Sequence, residues 1–241
     1  MRAETRHQLK EDRFSRATIQ AAEATVHWSQ EHQSSLIAAA IAVIVIAAIA
    51  FGGWYYVNMQ DEKASLDMAG AIRTMEAQLR PPGTPAQPGF QSFESATERA
   101  TAARKQFQEI ADKYPHTKNA EMARYFVGIT SADLKDDAAA ERNLQETANS
   151  SNSQLASLGK LALASVYRGE KKDSQAVDLY KQLIDKPTDL VSKVQAQLEL
   201  ASLYESQQKL DDAKKIYQDV QKENAQTPAA SIAQRRLAEL K

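Results

Sequence analysis

The chain has 241 residues, 43% of them apolar and 25% charged, and it contains no cysteine. Thirty Lys and Arg against 31 Asp and Glu leave a formal charge of −1, so nothing draws the chain as a whole towards nucleic acid. Without cysteine there is no disulfide framework, thiolate metal site or cysteine nucleophile, and only eight Gly and seven Pro favour helix over strand.

Residues 1–35 read as a tail of balanced charge, with five Lys or Arg and five Asp or Glu. Ile19, Ala22 and Val26 make a thin apolar stripe, too short to specify more than a solvated, partly helical segment. Glu23, His27 and Glu31 share a helix face, but such triplets arise often by chance and are read as surface rather than as a metal site.

Leu36 to Val57 is a run of 22 residues without a charge. As a helix it covers roughly 33 Å, against about 30 Å of bilayer hydrocarbon, so residues 36–57 are expected to span a membrane. Trp54, Tyr55 and Tyr56 sit at its end, where amphipathic rings favour the headgroup region. The run starts too late and continues too long for a cleaved signal, which makes it an anchor. The short tail carries Arg2, Arg6, Lys10, Arg13 and Arg16, which favours an inside amino terminus and an outside carboxy-terminal domain.

Residues 58–80 are expected to form a juxtamembrane helix. Leu66, Ala69, Ile72, Met75 and Leu79 recur at spacings of three and four and predict its apolar stripe. Residues 81–94 follow as a linker, where Pro81, Pro82, Pro85 and Pro88 with Gly83 and Gly89 forbid a regular helix. The P-x-x-P spacing within it is read as a plain spacer.

Residues 95–241 repeat. Ala103, Ala140, Ala176 and Ala213 are separated by 37, 36 and 37 residues, and Phe107, Leu144, Tyr180 and Tyr217 follow each by four. Gly128, Ala164 and Ala201 are 36 and 37 apart, and so are Ser131, Tyr167 and Tyr204. A small residue lets two helices approach, and a large one four positions on fills the space beside it. Three series in phase predict helical hairpins that bury their apolar faces only by stacking. Asp136, Asp173 and Asp211 are expected to cap the second helix of three hairpins. Ser95 with Glu98 and Ser151 with Gln154 have capping-box spacing, and Thr227 before Pro228 predicts a helix start.

These residues resemble the tetratricopeptide-repeat family over about residues 95–241. The resemblance implies an all-α chain: one transmembrane helix followed by an α-solenoid of about three to four hairpins, opened by the helix from Ser95 and closed by Pro228–Leu240. In that family the first helix of each hairpin lines a concave, protein-binding surface. Here those helices are about Lys118–Leu134, Gln154–Arg168 and Leu190–Ser206, which places Tyr125, Ile129, Ser165, Arg168, Ser202 and Glu205 in the groove. This mixed chemistry differs from a carboxylate clamp of Lys and Asn. Tyr125, Tyr167, Tyr180, Tyr204 and Tyr217, at repeat spacing, are read as mostly core.

The layout of tail, anchor ending in GGWYY, juxtamembrane helix and hairpins is similar to bacterial single-pass inner-membrane proteins of the ancillary Sec-translocon subunit family. That likeness implies a cytoplasmic amino terminus, a periplasmic repeat domain, and the translocon and periplasmic chaperones as partners. The repeats also resemble those of cell-division coordinators and outer-membrane assembly lipoproteins, which implies a structural or regulatory scaffold as the alternative. No phosphate loop, H-E-x-x-H or G-x-S-x-G is present and the four His are scattered, so no enzyme, cofactor or metal is expected.

Overall fold

The charge-free run lies inside the first helix, α1 (Gln33–Met75). This computed structural model describes residues 32–86 and 88–240, which hold nine α-helices and one two-stranded ladder. The expectations for Ile19, Ala22 and Val26 and for Glu23, His27 and Glu31 lie outside the described residues. The chain divides into two compact units, Met1–Tyr56 and Val57–Lys241. In the first unit α1 is apolar on every side and none of its most apolar window is buried, so by length and composition it is able to cross a membrane.

In the second unit the end of α1 becomes part of the repeat core. Ala64, Met68, Ala71 and Thr74 are its buried positions, and the first three pack with Ala103, Phe107 and Ile110. The expected stripe holds only in part: Ile72 and Met75 pack half-buried against this core, whereas Leu66 is 75% exposed and Ala69 and Leu79 also face solvent. Small Ala64 and Ala71 admit a neighbouring helix where Leu66 would hold it off. Polar bonds fix the same face. Asp61 accepts from the Asn119 backbone N–H at 3.0 Å and from its Nδ2 at 2.9 Å. Asp67 accepts from the Tyr114 hydroxyl at 2.9 Å and from Lys113 Nζ at 3.3 Å. The Tyr114 hydrogen bond, with Lys113 beside it, holds the Asp67 carboxyl below the usual range.

The helix stops at Met75 rather than running to Leu79. Gln78–Leu79 (β1) pairs in parallel with Ser92–Phe93 (β2), in the register Gln78 to Ser92 and Leu79 to Phe93. The Pro-rich segment is thus a loop closed at both ends. Gly83 and Gly89 turn it with φ of 76° and 83°, and Arg80 ties its mouth through Ser92 O and the Glu94 carboxylate.

From Ser95 onward the described chain is helical: α2 (Ala96–Lys113), α3 (Lys118–Asp133), α4 (Asp137–Ala148), α5 (Ser153–Gly169), α6 (Asp173–Asp185), α7 (Lys193–Ser206), α8 (Leu210–Glu223) and α9 (Pro228–Glu239). Each of these packs on the next, giving hairpins α3–α4, α5–α6 and α7–α8, with α9 as the closing helix. Ala103, Ala140, Ala176 and Ala213 are each 0% exposed, and Phe107, Leu144, Tyr180 and Tyr217 are all fully buried beside them. The helix from Ser95 does not open the array alone, because residues 64–74 of α1 cover it as a first helix covers a second.

The close approaches are tight. A Cβ on Gly128 would lie 2.5 Å from Leu144 Cγ, and one on Gly159 would lie 2.6 Å from the backbone nitrogen of Ala148. Gly159 belongs to none of the three series, yet its neighbour is backbone and has nowhere to go.

The turns inside the hairpins also repeat. Lys135, Lys171 and Gln208 adopt φ of 62°, 61° and 59°. In each, the next residue's N–H reaches back five residues: Asp136 to Ser131 O, Lys172 to Tyr167 O and Lys209 to Tyr204 O. This is the Schellman arrangement, normally completed by Gly. It also sets the caps. Asp136 is an N-cap, but the repeat-equivalent positions are Lys172 and Lys209, which make no side-chain cap. Asp173 and Asp211 instead fall within the first helical turn, where their charge favours the helix dipole. Lys172 and Lys209 lie over the Tyr167 and Tyr204 rings, at 5.4 and 5.7 Å. Ser95 caps α2 and Thr227 caps α9 as expected, whereas α5 is capped by Asn152 rather than Ser151.

Gly159→Ala is expected to lower stability by about 1–3 kcal/mol through forced backbone displacement, read as a fall in Tm by circular dichroism of the full chain in detergent. Lys171→Gly is expected to raise stability by about 0.5–1 kcal/mol by removing left-handed strain, with Lys171→Val moving Tm the other way.

Candidate protein-binding groove

Helices α3 and α5, the first of their hairpins, lie side by side with a groove of about 350 Å³ between them. Helical spacing brings the lining together. Tyr125, Ile129, Ala132 and Asp133 come from one face of α3, and Leu158, Leu161, Ala162 and Ser165 from one face of α5. Leu144, Val166 and Tyr180 form the floor, and Glu199 of α7 closes one side. Leu144 and Tyr180 are large members of the repeat core and Val166 belongs to the same core, so the groove rests on the packing that builds the hairpins.

Tyr125 sits edge-on to Phe126 at 5.3 Å, which stacks on Phe107 at 4.8 Å, and burial pushes the Tyr125 phenol up. Tyr180 is pushed up to about 12, first by burial and then by the carboxylate of Glu199. Burial, and then the neighbouring carboxylate of Glu205, push the Tyr217 phenol up as well. Between hairpins, Glu141 accepts from Lys172 Nζ at 2.7 Å and from the Tyr167 hydroxyl at 3.1 Å. The Lys172 bond, with that of Tyr167, holds the Glu141 carboxyl below its ordinary value.

Of the six groove residues expected from sequence, the structure brings Tyr125, Ile129 and Ser165 together in this groove. Arg168 and Ser202 meet each other at its edge. Arg168 Nη2 donates to Ser202 Oγ at 3.1 Å, and Nη1 lies 3.8 Å from Glu199 Oε2, so the pair ties α5 to α7. Glu205 is set apart from this groove, turned instead towards the Tyr217 phenol and the Arg236 guanidinium. Leu158, Leu161, Ala162, Ala132, Asp133 and Glu199 were not anticipated. Leu158, Leu161 and Ala162 precede Ser165 by seven, four and three positions, so extending that one helix face backwards would have found them. Among the described residues no three His, Cys, Asp or Glu are grouped to hold a metal ion.

The Tyr180 shift carries a pH signature. Its folded value lies above the ordinary tyrosine value of about 10, so its contribution is present below that value and is lost as pH rises towards 12. Urea unfolding across pH 9–12 is expected to show this loss, and Tyr180→Phe to make it shallower. In titration at 295 nm the same variant lacks one late-ionising phenol.

Comparison with known proteins bears on what such a groove is. The chain matches the family model described as a tetratricopeptide repeat-like domain over residues 26–186, and a tetratricopeptide repeat over residues 195–227. No curated protein and no solved structure matches it. The longer match takes in more than half of the chain and includes α1 as well as the first hairpins. The chain therefore belongs to the family of tetratricopeptide repeat-like domains.

Proposed function

We propose that the protein is a membrane-anchored scaffold that holds partner polypeptides in the α3–α5–α7 groove at the cell envelope. The observation that carries this reading is an open, largely apolar groove built across successive repeats of a fold whose members are generally non-catalytic protein-binding scaffolds. The order of parts supports the tether: a tail, the charge-free segment 36–57 inside α1, the remainder of α1 to Met75 packed into the repeats, the loop 81–94, and the helices from Ser95 onward. A tether raises the effective concentration of partners near the bilayer, so modest contacts suffice. The cationic residues of the short tail favour an inside amino terminus and an outside repeat domain. The similarity of the layout to single-pass inner-membrane proteins of the ancillary Sec-translocon subunit family supports reading that membrane as a bacterial inner membrane and that side as the periplasm. In that setting the partners are components of the secretion translocon and periplasmic chaperones.

A photo-crosslinking residue placed at Ser165 in the full chain is expected to give discrete adducts with such partners. One placed at Arg142, which lines a different depression between α2, α3 and α4, is expected to give far fewer. Ala162→Trp, which fills the groove, should reduce the Ser165 adducts several-fold. Equal adducts from both positions, or none affected by the groove-filling variant, would overturn the reading. Deleting residues 36–57 should move the protein from the membrane fraction to the soluble one.

A further inference from the structure

The groove has a chemical preference of its own, and stating it rests on the groove being where partners bind. Its walls are apolar, with Ile129, Leu158, Leu161 and Ala162 facing across the space. Its charged lining residues are Asp133 and Glu199, both carboxylates. Asp133 is exposed at the rim and makes no hydrogen bond or ion pair among the described residues. Glu199 is only loosely engaged, since Arg168 stands 3.8 Å from it and spends its shorter bond, 3.1 Å, on Ser202.

Backbone electrostatics add to the same sign. Asp133 is the last residue of α3, whose final turn carries no basic residue. The backbone N–H groups of the turn pair the carbonyls of Thr130, Ser131 and Ala132, so what remains at this end is the negative pole of the helix dipole, with Lys135 in the following turn as the nearest cation in the chain. A cation arriving beside Asp133 would meet a side-chain carboxylate and the end of a helix dipole together. An acidic group would meet both as repulsion, and the cation at the groove's edge, Arg168, is already engaged with Ser202 and Glu199.

We infer that the groove recognises a polypeptide segment in which one or two apolar side chains adjoin Lys or Arg, and that it rejects acidic segments and free carboxy termini. Apolar burial in a cleft of this size supplies the affinity, and the carboxylates supply the selection. Because Asp133 is exposed, the charge contribution is modest and sensitive to salt.

The test uses the full chain in phosphatidylcholine nanodiscs, with empty nanodiscs subtracted, and fluorescein-labelled octapeptides amidated at the carboxy end. The probe is Gly-Ser-Leu-Leu-Lys-Lys-Ser-Gly, compared with analogues carrying Glu for both Lys or Ser for both Leu. Fluorescence anisotropy should give the Lys peptide about a fivefold lower Kd than the Glu peptide, with no measurable binding of the Ser analogue. Asp133→Asn, an exposed and nearly isosteric change, should cut the preference to below twofold. Ala162→Trp should abolish binding of both. Equal or tighter binding of the Glu peptide, or an unchanged preference in Asp133→Asn, overturns the inference. So does a failure of every peptide to bind while adducts from Ser165 still depend on Ala162; in that case the groove remains the docking site and only its stated preference is wrong.

Discussion

A helix in this fold has an apolar face that only the next helix can cover. Everything else follows from how closely those helices approach. Where the helices come closest a residue without bulk makes the room: Gly128 for the Leu144 side chain, and Gly159 for the backbone at Thr147 and Ala148. The alanines of the 36–37-residue period sit at the same kind of place, wholly buried beside Phe107, Leu144, Tyr180 and Tyr217. Burial of these large side chains provides the driving force, and the small residues decide whether it is realised.

The repeat was legible in the sequence because this constraint leaves a period behind. The three series named the core residues, and the resemblance they carried placed the first helices within a few residues of α3, α5 and α7. What escaped had physical reasons. The face of α1 was assigned by hydrophobicity, which chose Leu66, whereas close packing chose Ala64 and Ala71. The caps at Asp173 and Asp211 were read from residue type, whereas the left-handed turns at Lys135, Lys171 and Gln208 place Lys172 and Lys209 at the cap position. Gly159 stood outside any period, since its contact is with a loop-proximal stretch of backbone.

The groove was half legible for a related reason. Tyr125, Ile129 and Ser165 follow from knowing which helices face inward. Arg168 and Ser202 occupy equivalent faces but are drawn to each other across two hairpins, so their polarity is spent on joining repeats. One-dimensional spacing says which way a side chain points, not which neighbour it finds there. The same applies to Asp133: its significance lies in the partner it lacks, which no pattern records.

The hydrogen bonds from Asn119 to Asp61 place the true beginning of the folded domain earlier than its repeats suggest. Asp61 terminates the backbone donors at the start of α3, and residues 64–74 roof the side of α2 that holds Phe107 and Ile110. A water-soluble fragment started at the first recognisable repeat would leave that side bare and prone to self-association. Fragment boundaries for biochemical work therefore belong upstream of Asp61, among the residues that leave the apolar run.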